Sequence, residues 1–195
     1  MMTTPQDPPA YRRPRDLDAR ATPLRQIAWG AELFGWNIVW SMFKARSLED
    51  ASDFGGWLLQ KIGPMTSAHK VALRNLEIAF PDMHRDEREA IAMQSWDSLG
   101  RTSGEMPHLA SMPVYGPDAR ANVFNPERLD AVRESGRGAV FVSGHFSNWE
   151  VMVSAICNRP LDCLITYRAA NNPYIDRRIT DARHAYGIKV LAPKG

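Results

Sequence analysis

A run of five residues without a charge, Ala139-Val140-Phe141-Val142-Ser143, leads into Gly144-His145-Phe146-Ser147-Asn148-Trp149-Glu150 and then into the apolar Val151-Met152-Val153-Ser154-Ala155-Ile156. No other stretch restricts the fold as much. The first run is short and apolar, the pattern of a buried strand, and the last is apolar enough to lay a helix back on it. A strand that runs straight into a helix favours parallel pairing, because parallel neighbours need a crossover where antiparallel ones need only a hairpin. In an open α/β sheet the turn between strand and helix lies at the carboxyl end of the strand, where ligand sites gather. His145 and Glu150 both sit on that turn. Ser147-x-x-Glu150 also has the spacing of a capping box, in which the two side chains only close the start of the helix. The two readings are compatible, since a carboxylate held in a first helical turn is placed to orient a neighbouring imidazole.

Downstream the alternation continues. Leu161 to Tyr167 reads as a second strand, and Asn172-Pro173 caps a helix whose Ile175, Ile179, Ala182 and Tyr186 share a face. Gly187 ends that helix, and Ile188 to Ala192 is a third strand. Upstream the chain is helical. Phe54 to Ile62 reads as a short apolar helix, and Ser67 to Phe80 as another with Leu73, Leu76 and Phe80 on one face, stopped by Pro81-Asp82. A further helix starts at Asp86, with Ala92, Trp96 and Leu99 turned inward, and Asn125-Pro126 opens one that Gly136 terminates. The expected fold class is α/β: a helical N-terminal lead with a membrane-associating helix, then a mainly parallel sheet with flanking helices.

The lead divides by composition. Residues 1–25 hold five prolines and five arginines with few large apolar side chains, and read as a mobile arm. Residues 26–62 read as a membrane-associating helical segment and 63–195 as the N-terminal part of an α/β domain. Between Ile27 and Phe43 the strongly polar residues are Glu32 and Asn37. A helix of that length spans about 26 Å, a little short of the roughly 30 Å hydrocarbon core. Trp29, Leu33, Trp36 and Trp40 form one stripe, and Arg25, Lys44 and Arg46 bracket it. Tryptophan and flanking basic residues favour a membrane–water interface, as a short span or an interfacial helix.

Charge excludes some classes. A net charge of +2 with 24% charged residues gives no field that argues for nucleic acid. Cys157 and Cys163 read as small apolar fillers rather than a disulfide. The five histidines are scattered, with no C-x-x-C or H-E-x-x-H, so no metal or organic cofactor is expected. What remains is acid–base chemistry. An imidazole, with an ordinary pKa of about 6.5, can take a proton from a hydroxyl near neutral pH. Glu150 would hold the ring in one tautomer, as the third member of a serine-protease triad does. No protein nucleophile is required if the substrate brings its own hydroxyl, which points to acyl transfer from a thioester onto an alcohol.

His145-x4-Glu150 within Gly-His-Phe-x-Asn-Trp-Glu resembles the motif of the lipid A biosynthesis (lauroyl/myristoyl) acyltransferases, within the lysophospholipid and glycerolipid acyltransferase superfamily. Two further stretches share the resemblance: Ala72 to Pro81, and Tyr167-Arg168-Ala169-Ala170-Asn171-Asn172-Pro173 with Arg183 downstream. Ser147 stands where glycine is usual, and the family's chains are longer than these 195 residues. The resemblance implies a glycerolipid acyltransferase-like αβ fold, with His145 and Glu150 catalytic. It implies an acyl carrier protein or acyl-CoA donor and a phosphorylated glycolipid acceptor, at the cytoplasmic face of the cell inner membrane. Arg168 and Arg183 fall on basic positions of the family pattern. Arg183 lies at the inner margin of its helix and Arg168 at the carboxyl end of the second strand, facing the same crevice as His145, so both are expected to bind the anionic acceptor. A structural alternative ties Arg183 to Asp176. Asn148 is expected to donate a hydrogen bond to substrate, whereas Asn171 reads as a turn residue. Two other functions stay open: acylation of a simpler glycerophospholipid, and a non-catalytic membrane-associated remnant.

Overall fold

The computed structural model describes residues 21–159, 161 and 163–193. Most of the arm expected over residues 1–25 lies outside that range. Helix α1 runs from Pro23 to Lys44 and so takes in the last residues assigned to the arm. Proline is suited to a helix start, where its missing N–H has no partner to lose. The described residues fall into two compact units, one of residues 38–112 with 140–152, the other of residues 21–37, 113–139 and 153–193.

In the first unit, α2 (Leu48–Ile62) is capped by Ser47, whose hydroxyl accepts from the Asp50 N–H at 3.1 Å. Glu49 and Asp50 in its first turn suit the positive end of the helix dipole. After a short 3₁₀ turn at Gly63–Met65 comes α3 (Ser67–Ala79), and then α4 (Arg85–Glu105). The start of α4 is not the expected Asp86. His84 is the cap: its ring nitrogen accepts from the Asp86 N–H at 3.4 Å while the Glu87 carboxylate accepts the His84 N–H at 3.1 Å. This imidazole takes the part usually played by Ser or Thr in a capping box.

α2 and α4 cross where both lack bulk. A Cβ on Gly55 would strike the backbone of Gly100, one on Gly100 the backbone of Gly55, and one on Gly104 the carbonyl of Ala51. Because Gly100 and Gly104 hold the crossing, Leu99 is turned outward and 39% exposed, against expectation, whereas Ala92 is buried as expected. Arg101 spans the pair, meeting Asp97 at 2.7 Å and Asp53 at 2.5 Å. α3 docks on α4 through His69, which is buried. Its Nδ1 accepts the Trp96 indole N–H at 3.1 Å, so the ring proton sits on Nε2, 2.9 Å from the Glu89 carboxylate. The Trp96 ring fills the space beside Gly63. Leu73 and Leu76 are half-buried, but Phe80, beyond the last turn of α3, is 47% exposed.

In the second unit, β1 (Leu164–Tyr167) and β2 (Val190–Pro193) pair in parallel, Leu164 opposite Val190 and Thr166 opposite Ala192. They are the carboxyl parts of the two expected strands, joined by α7 (Pro173–Ala185) as the crossover. Asn172 does more than cap α7. Its carbonyl oxygen accepts from Tyr174 and Ile175 N–H groups at 3.0 and 3.4 Å, and its amide donates to the Trp29 carbonyl at 3.0 Å and the Glu32 carboxylate at 2.8 Å. One buried side chain thus ends a loop, starts a helix and ties α1 to it. Gly187, at φ +115°, closes α7 as its type permits. Helix α5 (Glu127–Glu134) ends before Gly136, φ +63°, as expected, but its start differs. Pro126 occupies the cap position without a side-chain bond and Asn125 is left-handed, φ +53°, so Asn125 does not cap it.

The expected first strand, residues 139–143, does not form a strand. Val140 and Val142 are 89% and 90% exposed. A strand is defined by its ladder, and an apolar run without a paired neighbour stays merely extended. The described residues are therefore mostly helical with a two-stranded parallel sheet, an α/β arrangement with less sheet than expected. No helix among them is long and apolar enough to cross a membrane.

Candidate active site

The turn before helix α6 (Trp149–Cys157) is built by residues of the first unit. Ser147 is left-handed, φ +47°, a conformation that costs an L-residue roughly 1–2 kcal/mol and glycine almost nothing. With its backbone turned this way Ser147 does not form the expected capping box. The cap is Asn148, whose carbonyl oxygen accepts the Glu150 N–H at 3.1 Å. Its amide donates to Glu105 Oε2 at 2.6 Å, and the other oxygen of Glu105 accepts from the Ser52 hydroxyl at 2.7 Å. Thr102 adds a longer contact, its hydroxyl 3.4 Å from the Ser147 carbonyl. The turn is thereby fastened to α4 and, through Ser52, to α2.

His145 is exposed. Its ring meets that of Trp149 edge to face, centroids 4.6 Å apart at 66°. The Trp149 indole N–H in turn donates to Glu150 Oε1 at 3.2 Å, and Glu150 is only 4% exposed. Among the described residues no hydrogen bond joins His145 to Glu150; the indole connects them. The arrangement is an accessible imidazole, seated on an aromatic ring, in front of a buried carboxylate. Such an imidazole can take a proton from a hydroxyl that approaches from solvent.

The two expected arginines belong to the second unit. Arg168 follows β1 directly and is exposed. The guanidinium of Arg183, in the last turn of α7, lies over the Tyr167 ring, 5.5 Å from its centroid. Asp176, named as its alternative partner, is buried and accepts from the Ala170 N–H at 2.7 Å and the Tyr167 hydroxyl at 3.4 Å. Asn148, expected to donate to substrate, donates to Glu105. Cys157 and Cys163 are not in a disulfide.

Four residues of the turn's support were not singled out from sequence: Ser52, Glu105, Thr102 and Trp149. Glu105 did leave a signal. It is the last residue of α4, where a carboxylate opposes the helix dipole, and an acid in that position asks for a partner.

The sequence profile described as "Bacterial lipid A biosynthesis acyltransferase" matches residues 19–195. A lipid A biosynthesis acyltransferase of Haemophilus influenzae is 32% identical over 133 residues, 66% of this chain and 40% of that protein. A lipid A biosynthesis palmitoleoyltransferase of Escherichia coli is 31% identical over 112 residues, 54% of this chain and 34% of its own length. The lipid A biosynthesis lauroyltransferase of the same organism is 29% identical over 111 residues, 55% and 35% of the two chains. The matches thus span well under half the length of these curated relatives. No solved structure matches the chain significantly. The turn that carries His145 and Glu150, the α3 stretch and the arginines around β1 and α7 all fall inside the profile match, and over that span the chain belongs to the bacterial lipid A biosynthesis acyltransferase family.

Proposed function

We propose that the chain acts as a membrane-associated O-acyltransferase, moving a fatty acyl group from an acyl thioester to a hydroxyl of a lipid A precursor. The observation that carries this reading is the family match over residues 19–195. The geometry of the turn supports it, because the imidazole of His145 is open to substrate while the carboxylate of Glu150 is not.

In this reading His145 takes the proton of the acceptor hydroxyl as its oxygen attacks the thioester carbonyl. The attack gives a tetrahedral oxyanion, whose stabilisation by nearby donors lowers the barrier. Collapse breaks the carbon–sulfur bond, and the imidazolium returns its proton to the departing thiolate. Glu150 stabilises the imidazolium by its charge, through the intervening indole or after a ring rotation that brings the imidazole to the carboxylate. Asn148 acts as a positioning residue, since its bonds to Glu105 and to the Glu150 N–H fix the turn. Arg168 and Arg183 bind the anionic groups of the phosphorylated glycolipid. The donor is an acyl carrier protein or acyl-CoA thioester.

Residues 26–62 associate with the membrane and 63–195 form part of the acyltransferase domain, at the cytoplasmic face of the inner membrane. α1 supports a place in the interface rather than across it. Its tryptophan stripe turns inward, Trp29 being buried against Tyr174. A second apolar row stays outside: Leu24, Ile27, Phe34, Ile38 and Met42 are exposed along one face. Such a row, near Arg25 and Lys44, suits a helix lying in an anionic interface.

The test is direct. Incubated with an acyl thioester and a phosphorylated glucosamine lipid, the protein should release free thiol in step with acylated glycolipid. Thiol release without acylated lipid would make it a thioesterase and refute the transfer.

A further inference from the structure

Between α3 and the first turn of α4 lies an open cleft of about 410 Å³, lined by Lys70, Leu73, Arg74, Glu77, Arg85 and Arg88. Four of the six are cationic and one is acidic. Arg74 is matched, its guanidinium 2.8 Å from Glu77. Lys70, Arg85 and Arg88 have no ion pair among the described residues. Two of the nearby acids bond elsewhere: Glu89 accepts from the His69 ring and Glu87 from the His84 N–H. One donor is more telling than the charge count. Nη1 of Arg88 is removed from solvent and has no hydrogen-bond partner. Buried donors are almost always paired, so this guanidinium has hydrogen-bonding capacity to spare, which an acceptor in the cleft meets once the Arg88 side chain shifts toward it.

We infer that this α3–α4 cleft binds a phosphate-bearing group, a phosphomonoester or a diphosphate. Guanidinium forks pair two-point with phosphate oxygens, and a lysine adds a point charge without fixed direction. Three unmatched cations suit an anion of two or three charges better than a single carboxylate. The volume falls in the lower part of the roughly 300–1,000 Å³ range of small-ligand sites. The α4 N-terminus, where Arg85 is the first helical residue, adds a favourable dipole. The inference is independent of the acyl-transfer reading, since the cleft shares no residue with the His145 turn. A soluble phosphorylated compound and a lipid headgroup present the same chemistry, and the experiment separates them.

Calorimetric titration of the 195-residue chain with inorganic pyrophosphate, at ionic strength held constant with sodium chloride, tests the soluble source. Co-sedimentation with phosphatidate vesicles against phosphatidylcholine vesicles tests the headgroup. Arg88→Gln and Arg85→Gln should each weaken the responding probe at least tenfold, and Arg128→Gln, on exposed α5, should not. Arg85 is exposed, so its variant carries the test even if Arg88→Gln misfolds. A response to pyrophosphate supports a soluble ligand, and a preference for phosphatidate without one supports a headgroup. No binding of either probe, or binding untouched by both variants, overturns the inference.

Discussion

At the scale of single residues, backbone conformation explains a departure that sequence only registers. Ser147, which the motif resemblance places where glycine is expected, holds a φ of +47°, a conformation that favours glycine. Ser147→Gly should remove most of the left-handed cost, offset in part by a freer unfolded chain, and stabilise the fold by about 0.5–1 kcal/mol. Thermal unfolding should rise by about 2–4 °C per kcal/mol in a chain of this size, and an unchanged or lower midpoint would refute the strain. The thiol of Cys157 offers a second check. Burial first, and the neighbouring Cys163 next, push it up to about 11 from 9.0. A raised thiol pKa keeps the group neutral through pH 8, so its thiolate there should be roughly a hundredfold scarcer than for an unshifted thiol. Iodoacetamide labelling followed by peptide mass spectrometry should therefore be slow at pH 8 and accelerate as the pH climbs toward 11. Full labelling at pH 8 at the rate of a free cysteine would contradict that burial.

At the scale of elements, local chemistry was legible and long-range pairing was not. Asn172-Pro173 announces α7 because a cap and a first-turn proline act within four residues, and Gly187 and Gly136 end their helices for an equally local reason. Residues 139–143 read as a strand from their own side chains, yet a strand depends on a neighbour that no local pattern supplies. The same holds for Glu105, which meets Asn148 across 43 positions. His145 and Glu150 stand out in the sequence as a candidate pair, but the indole between them does not, since Trp149 looks like any apolar residue at a helix start. The α2–α4 crossing gives the sharpest stability prediction. Gly100→Ala sets a methyl against the backbone of Gly55 and should cost about 1–3 kcal/mol by overpacking, read as a lowered unfolding midpoint. An unaltered midpoint would mean the helices can part freely. For α1 the outward row is decisive. Phe34, 69% exposed, contributes little to the fold, so Phe34→Glu should leave the melting point unchanged while weakening co-sedimentation with anionic vesicles at least tenfold. Equal sedimentation of the variant would place the membrane contact elsewhere.

At the scale of the whole molecule, the account rests on one accessible imidazole on a turn that α2 and α4 brace. The supporting bonds of Asn148, Glu105 and Ser52 leave His145 untouched, so removing its ring should alter chemistry without altering the fold. Losing a general base typically lowers turnover by about 10²–10⁴. The decisive measurement is acyl transfer to the phosphorylated glucosamine lipid, followed by mass spectrometry, for the unaltered chain and for His145→Ala at matched folded concentration. The account predicts acylated glycolipid from the first and a 10²–10⁴-fold slower rate from the second, with circular dichroism and melting point unchanged. Equal rates, or no transfer by the folded unaltered chain, would contradict it.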